Sequence, residues 1–126
     1  MVLQLLQKPD EALTLHREEE RISRRLGNLP VVAHALFGQA GILFARGQFQ
    51  EALSLCQEQE QICRAIGHTE GLVDSLLTQG FLFGKALNLP DKAMGLALEA
   101  QRLASENGLL PRVDLASRLL AILHGG

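Results

Sequence analysis

The chain has 126 residues, 47% apolar and 21% charged, with a formal net charge of −2. That length favours one domain, and a balance so near zero excludes nucleic acid as the principal partner, because phosphate binding needs a concentrated positive field. No uncharged apolar run approaches the roughly 20 residues of a membrane span, and two cysteines without a disulfide framework fit a reducing, cytoplasmic compartment.

In chain order, apolar periodicity predicts helices over 9–26, 30–46, 49–66, 69–86, 89–106 and 110–124. Before them, Met1–Gln7 reads as the tail of an earlier helix; it lacks the basic start and full apolar stretch of a secretory signal. Pro9, Pro30, Pro90 and Pro111 stand at helix starts, where a missing N–H costs nothing. Gly27, Gly67 and Gly108 stand at helix ends, where a left-handed residue is needed, and Asn28 and Asn88 are candidate caps. In the first helix Glu20 precedes Arg24 by four residues, a favourable ion-pair spacing. Helix 30–46 is apolar nearly all round, through Val31, Val32, Leu36, Phe37, Ile42, Leu43 and Phe44, so it is expected to be buried on more than one side. In helix 49–66, Ala52, Leu55, Cys56, Ile62, Cys63 and Ile66 form one stripe, interrupted by Gln59 and opposed by Gln57, Glu58, Gln61 and Arg64. The last helix places Leu115, Leu119 and Ile122 on one side and Leu120 and Leu123 on another, so an uncovered end face is expected.

These helices repeat. EALTLHREEERISRRLG (Glu11 to Gly27) returns forty residues later as EALSLCQEQEQICRAIG (Glu51 to Gly67), and more weakly 41 residues after that as KAMGLALEAQRLASENG (Lys92 to Gly108). The intervening VVAHALFGQAGILFARG (Val31 to Gly47) matches GLVDSLLTQGFLFGKAL (Gly71 to Leu87), with Gln39 and Gln79 in register.

The run ARGQFQEAL (Ala45 to Leu53) resembles the tetratricopeptide repeat signature. Gly47, Phe49, Ala52 and Leu53 fall at its turn, and Leu36, Ala40 and Leu43 at the large-small-large positions of the preceding helix. Pro9-Asp10-Glu11-Ala12-Leu13 and Pro90-Asp91-Lys92-Ala93-Met94 are partial copies. The 40- or 41-residue period is similar to the longer-helix variant of Pins-type scaffolds, kinesin light chains and bacterial signalling proteins. The third copy departs from the pattern, with Leu87 or Asn88 at the place of the turn glycine. The resemblance implies an all-α, right-handed superhelical solenoid of antiparallel helix pairs, about three repeats in a single domain 1–126: a partial copy over 1–27, repeats at 30–67 and 69–108, and a closing partial copy at 110–126. Ala52 and Ala93 would take the small positions where helices cross most closely.

The same resemblance implies a concave groove lined by His34, Phe37, Gly41, Phe44 and Ala45, then Asp74, Leu77, Phe81, Gly84 and Lys85, then Arg118 and Ile122, with Gln4 at the open amino end. The Lys, Arg and Asn set that clamps acidic C-terminal tails is missing except for Lys85 and Arg118. Two readings of Phe37, Phe44 and Phe81 stand side by side: rings covered inside the chain, or rings of an apolar groove for a peptide or amphipathic helix. The second predicts that these rings stay partly accessible while Leu36, Ile42 and Phe83 do not. The expected function is a non-catalytic protein-interaction module. The alternatives are a homo-oligomerisation module joined through groove or array ends, and a peptide-sensing segment of a larger regulator.

Catalytic patterns do not compete with this reading. His16, His34, His68 and His124 share no metal-ligand spacing, and His16 aligns with Cys56 and Ala97 on the packed stripe. Cys56 and Cys63 lie two turns apart on one helix, about 10.5 Å along its axis, too far for a disulfide and unlike a zinc spacing. There is no glycine-rich phosphate loop, nucleophile elbow or HExxH, and EEERISRR is a mixed-sign solvated face. No enzyme activity, cofactor or metal is expected, and neither nucleic acid nor membrane as partner.

Overall fold

Five residues with positive φ punctuate the chain every 20 or 21 positions: Gly27 (71°), Gly47 (78°), Gly67 (71°), Asn88 (54°) and Gly108 (68°). Such a residue lets the chain turn out of a helix and releases the next one within two or three residues. In a computed structural model, which describes residues 9–125, this gives α1 (Pro9–Leu26), α2 (Leu29–Ala45), α3 (Phe49–Ile66), α4 (Thr69–Phe81), α5 (Pro90–Glu106) and α6 (Leu110–Gly125). A π-helical turn, Leu82–Ala86, extends α4. Among the described residues the chain is all-α. The expected helix bounds hold to within one residue; the expectations for Met1–Gln7 and Gln4 lie outside the described residues.

Asn28 does cap α2, its Oδ1 accepting from the Val31 N–H at 3.4 Å. At α4 a histidine takes that role, His68 Nδ1 accepting from the Gly71 N–H at 2.9 Å. Asn88 instead occupies the left-handed turn position, which Asn tolerates better than most residues, and Leu89, at the N-cap of α5, makes no side-chain capping bond.

The π turn explains the irregular period. Gln39 and Gln79 are 40 apart, whereas Gly47 and Asn88 are 41 apart, so the extra residue falls between Gln79 and Asn88. A π turn accommodates one additional residue within a helix. An insertion into regular α-helix would instead rotate everything after it by about 100°. The widened turn absorbs the residue, so α5 returns to the register of α3: Ala52 and Ala93, on the two sides of the insertion, are both fully buried.

Each helix packs mainly on its chain neighbours, with weaker contacts between alternate helices. Leu13, Ala40, Leu43, Ala52, Cys56 and Leu82 form one buried cluster; Leu72, Val73, Leu76, Leu77, Ala100 and Ala116 belong to a second. Gln59, which interrupts the α3 stripe, is buried because its Nε2 donates to the Gly71 carbonyl at 3.1 Å. The end-face expectation needs correction. Leu119 is fully buried rather than sharing a face with Leu115 and Ile122, which are 43% and 38% exposed.

A polar clasp recurs at the 40-residue period. Gln39 Nε2 donates to Glu20 at 2.7 Å, and Glu20 accepts from Arg24 at 2.8 Å; Arg24 in turn reaches Glu58 of the next copy. The second clasp joins Gln79 to Glu60 at 2.8 Å, Glu60 to Arg64 at 2.9 Å and Arg64 to Glu99 at 2.9 Å. The expected Glu20–Arg24 pair is thus one link of a chain that ties α1, α2 and α3 together. Burial raises the Glu20 carboxyl, but the hydrogen bonds from Gln39 and Arg24 outweigh it and hold it below its ordinary 4.5.

Candidate functional site: an apolar cleft on α2

Alanines, glycines and large apolar side chains alternate along α2, so one side of this helix can be at once close-packed and open. Phe37, Gly38, Gly41, Ile42 and Ala45 follow one another at helical spacing and line a cleft of about 500 Å³, closed at its end by Pro9 of α1 and by Arg46. The first turn of α1 is held there by an ion pair between Asp10 and Arg46. A cleft of this volume lies within the range of ligand-binding pockets, and among the described residues its lining is apolar except for Arg46.

Its two glycines have different origins. At Gly38 a Cβ would lie 2.5 Å from the His16 ring, so any larger residue there would have to displace that ring. At Gly41 a Cβ would meet no atom of the described residues within 4 Å; nothing in their packing requires glycine, and its effect is to leave the cleft floor open. His16, half-buried on α1, packs edge-on to His34 with ring centroids 6.3 Å apart.

The expected groove residues divide. Phe37, 37% exposed, and Gly41 line the cleft, and Ala45 is with them. His34 is exposed beside it. Phe44 is half-buried and packs edge-on against Phe49, 5.7 Å between centroids, at the edge of the core. Leu77 is 5% exposed and belongs to the core, not to an accessible surface. Phe81 is half-buried and Lys85 exposed. Asp74 is engaged by Arg112 of α6 through two hydrogen bonds, 2.8 and 3.1 Å, which raise the guanidinium pKa further. Arg118 pairs with Asp114 at 2.9 Å on the exposed side of α6, the helix that also carries Ile122.

Leu36 and Phe83 are buried, in keeping with the expectation for them, but Ile42 is half-buried and lines the cleft. Pro9, Gly38, Ile42 and Arg46 are the lining residues the pattern missed. Pro9 shares its register with Phe49, forty residues on, and Gly38 and Ile42 follow Phe37 and Gly41 directly; these adjacencies were the available signal.

Both cysteines are buried free thiols, and burial pushes Cys56 up to about 12. Among the described residues no cluster of three or more His, Cys, Asp or Glu is placed to hold a metal, and no helix is long and apolar enough to cross a membrane. Compared with known proteins, the chain matches no family model, no curated protein and no solved structure.

Proposed function

We propose that this chain is a non-catalytic protein-interaction module of the tetratricopeptide kind, and that the α2 cleft receives an amphipathic helix or apolar peptide of a protein partner in a cytoplasmic setting. The observation that carries this reading is the cleft itself: an accessible aromatic ring, an aliphatic wall and a glycine floor that packing does not require. The short left-handed turns and nearest-neighbour packing support the matching architecture, a right-handed stack of antiparallel helix pairs. Each apolar side chain seated there contributes at most a few kcal/mol by area, before the cost of association.

The experiment is a display selection of helical peptides against the full chain, with binding of the selected peptide then titrated against a Gly41→Glu variant. That substitution has open space and should leave the thermal midpoint in place. It should weaken binding about tenfold or more by putting a charge against apolar surface. Equal binding by parent and variant removes the cleft from the function.

Self-association is the second reading, favoured by the exposed Leu115 and Ile122 on the last helix. Sedimentation decides it: a symmetric dimer is the commonest closed form, and a stable monomer at high concentration eliminates this reading.

A further inference from the structure

The apolar side chains that α1 leaves exposed are not scattered. Leu15, Ile22 and Leu26 are each at least 45% exposed. At 3.6 residues per turn they lie within about 40° of one another, a single stripe along the helix. In the next copy the same positions are Leu55, Ile62 and Ile66, of which Leu55 and Ile62 pack against the two buried clusters. By register and residue type this is a packing stripe, and on α1 it stands open.

The charges beside it say what covers it. Glu18 and Arg25 lie on one flank of the stripe, both exposed and two helical turns apart. Glu18 holds Arg21 of its own helix and keeps further acceptor capacity; Arg25 has no ion pair among the described residues. A second α1 laid antiparallel on the first, about a two-fold axis beside Ile22, brings each flank against the same flank of its copy. Ile22 then meets the partner's Ile22, Leu15 lies beside the partner's Leu26, and Glu18 faces the partner's Arg25, twice by symmetry. A parallel pairing would instead set the acidic run Glu18-Glu19-Glu20 level with itself and Arg24-Arg25 level with itself, an arrangement that like-charge repulsion penalises.

We infer that α1 is a self-recognition helix, through which two copies of this chain associate as an antiparallel, symmetric pair. The stripe of Leu15, Ile22 and Leu26 is its core, and the two Glu18–Arg25 ion pairs are its rim. A two-fold contact of this kind uses up its own surface and closes at two copies. Three apolar side chains from each copy make it small for a stable interface, so the dimer is reversible and populated at high concentration. It does not rest on the reading of the α2 cleft, and it lies on the first helix rather than on the Leu115 and Ile122 side of the last.

The test is sedimentation of the full chain and its variants. The parent should associate reversibly to a dimer at millimolar concentration. Glu18→Arg or Arg25→Glu alone sets like charges across the axis twice and should weaken the dimer about tenfold or more. The two together restore both pairs with their signs exchanged. They should bring the affinity back to within about threefold of the parent, which a variant that merely failed to fold would not do. Leu115→Glu should leave the dimer as it is. At the centre, Ile22→Cys should form an interchain disulfide about tenfold faster than Gly95→Cys on α5; a Cβ at Gly95 meets no atom within 4 Å, and the native thiols are buried. A parent that stays monomeric at that concentration, equal disulfide rates, or a double variant no tighter than the single ones overturns the inference. So does a dimer dissolved by Leu115→Glu, which would leave self-association standing through α6 instead.

Discussion

The first two copies of the repeat and the third use the same backbone plan with different fastenings. Where α1 to α4 carry Glu20, Arg24 and Gln39, then Glu60, Arg64 and Gln79, the third register carries Gln101, Ser105 and Leu120. The polar clasp is therefore absent from the last interface. Its place is taken by Leu119 and Leu123 reaching onto Gly80 and Gly84, and by the Arg112–Asp74 pair. The difference teaches that a helix can be seated on this array without the clasp. The clasp adds discrimination, since a charged pair satisfied in one register only penalises a slipped one.

The largest expected effect falls on the apolar fastening. Leu119→Glu buries a carboxylate at a fully covered site and should cost at least about 3 kcal/mol, enough to detach α6 or unfold the chain. Leu115→Glu, on the exposed side of the same helix, should stay within about 0.5 kcal/mol. Denaturant titration of the two variants measures the contrast, and a similar loss in both would mean that α6 is seated differently.

Next comes the clasp. Gln79→Leu writes the third register's residue into the second copy. It removes the hydrogen bond to Glu60 and should cost about 1–2 kcal/mol, even though leucine is the more apolar residue. The clasp also has a pH signature. The Glu20 carboxyl is held below its ordinary 4.5 in the folded chain. Its contribution is thus fully present above about pH 4.5 and lost as the pH falls through the lowered value. Gln39→Leu should therefore flatten the fall in stability below pH 4.5, and an unchanged acid profile would show that the clasp contributes nothing.

The smallest effect tests the turn between the copies. Asn88→Gly relieves a side chain held at φ 54° and should change stability by no more than about 1 kcal/mol, in the stabilising direction. Asn88→Ala should lose about as much. Thermal midpoints that ranked alanine above glycine would contradict the left-handed turn.

The helices were readable because their punctuation is chemical: prolines at starts, and Gly or Asn at ends every 20 or 21 residues. The burial of Ala52, Cys56 and Cys63 follows from one apolar stripe, which Gln59 interrupts. The site was readable only in part, because α2 and α4 are apolar around most of their circumference. Periodicity on such a helix does not say which side meets water, and the structure buries Leu77, which the resemblance puts in the groove, and sets Ile42, expected to be covered, in the cleft wall. Asp74 read as a groove acid because Arg112, 38 residues away, bears no local relation to it. The extra residue of the third copy showed in the spacing, but its place in α4 did not, since a π turn leaves no mark in composition.

That turn has a genetic consequence. A codon lost within Leu82–Ala86 shortens the chain by the one residue the π turn absorbs, without changing which side chains of α5 face the core. The same event between Leu72 and Leu77 would swing every later residue of α4 out of place. Segments like Leu82–Ala86 are where a lineage of such repeats can drift in length while its interior stays legible to selection.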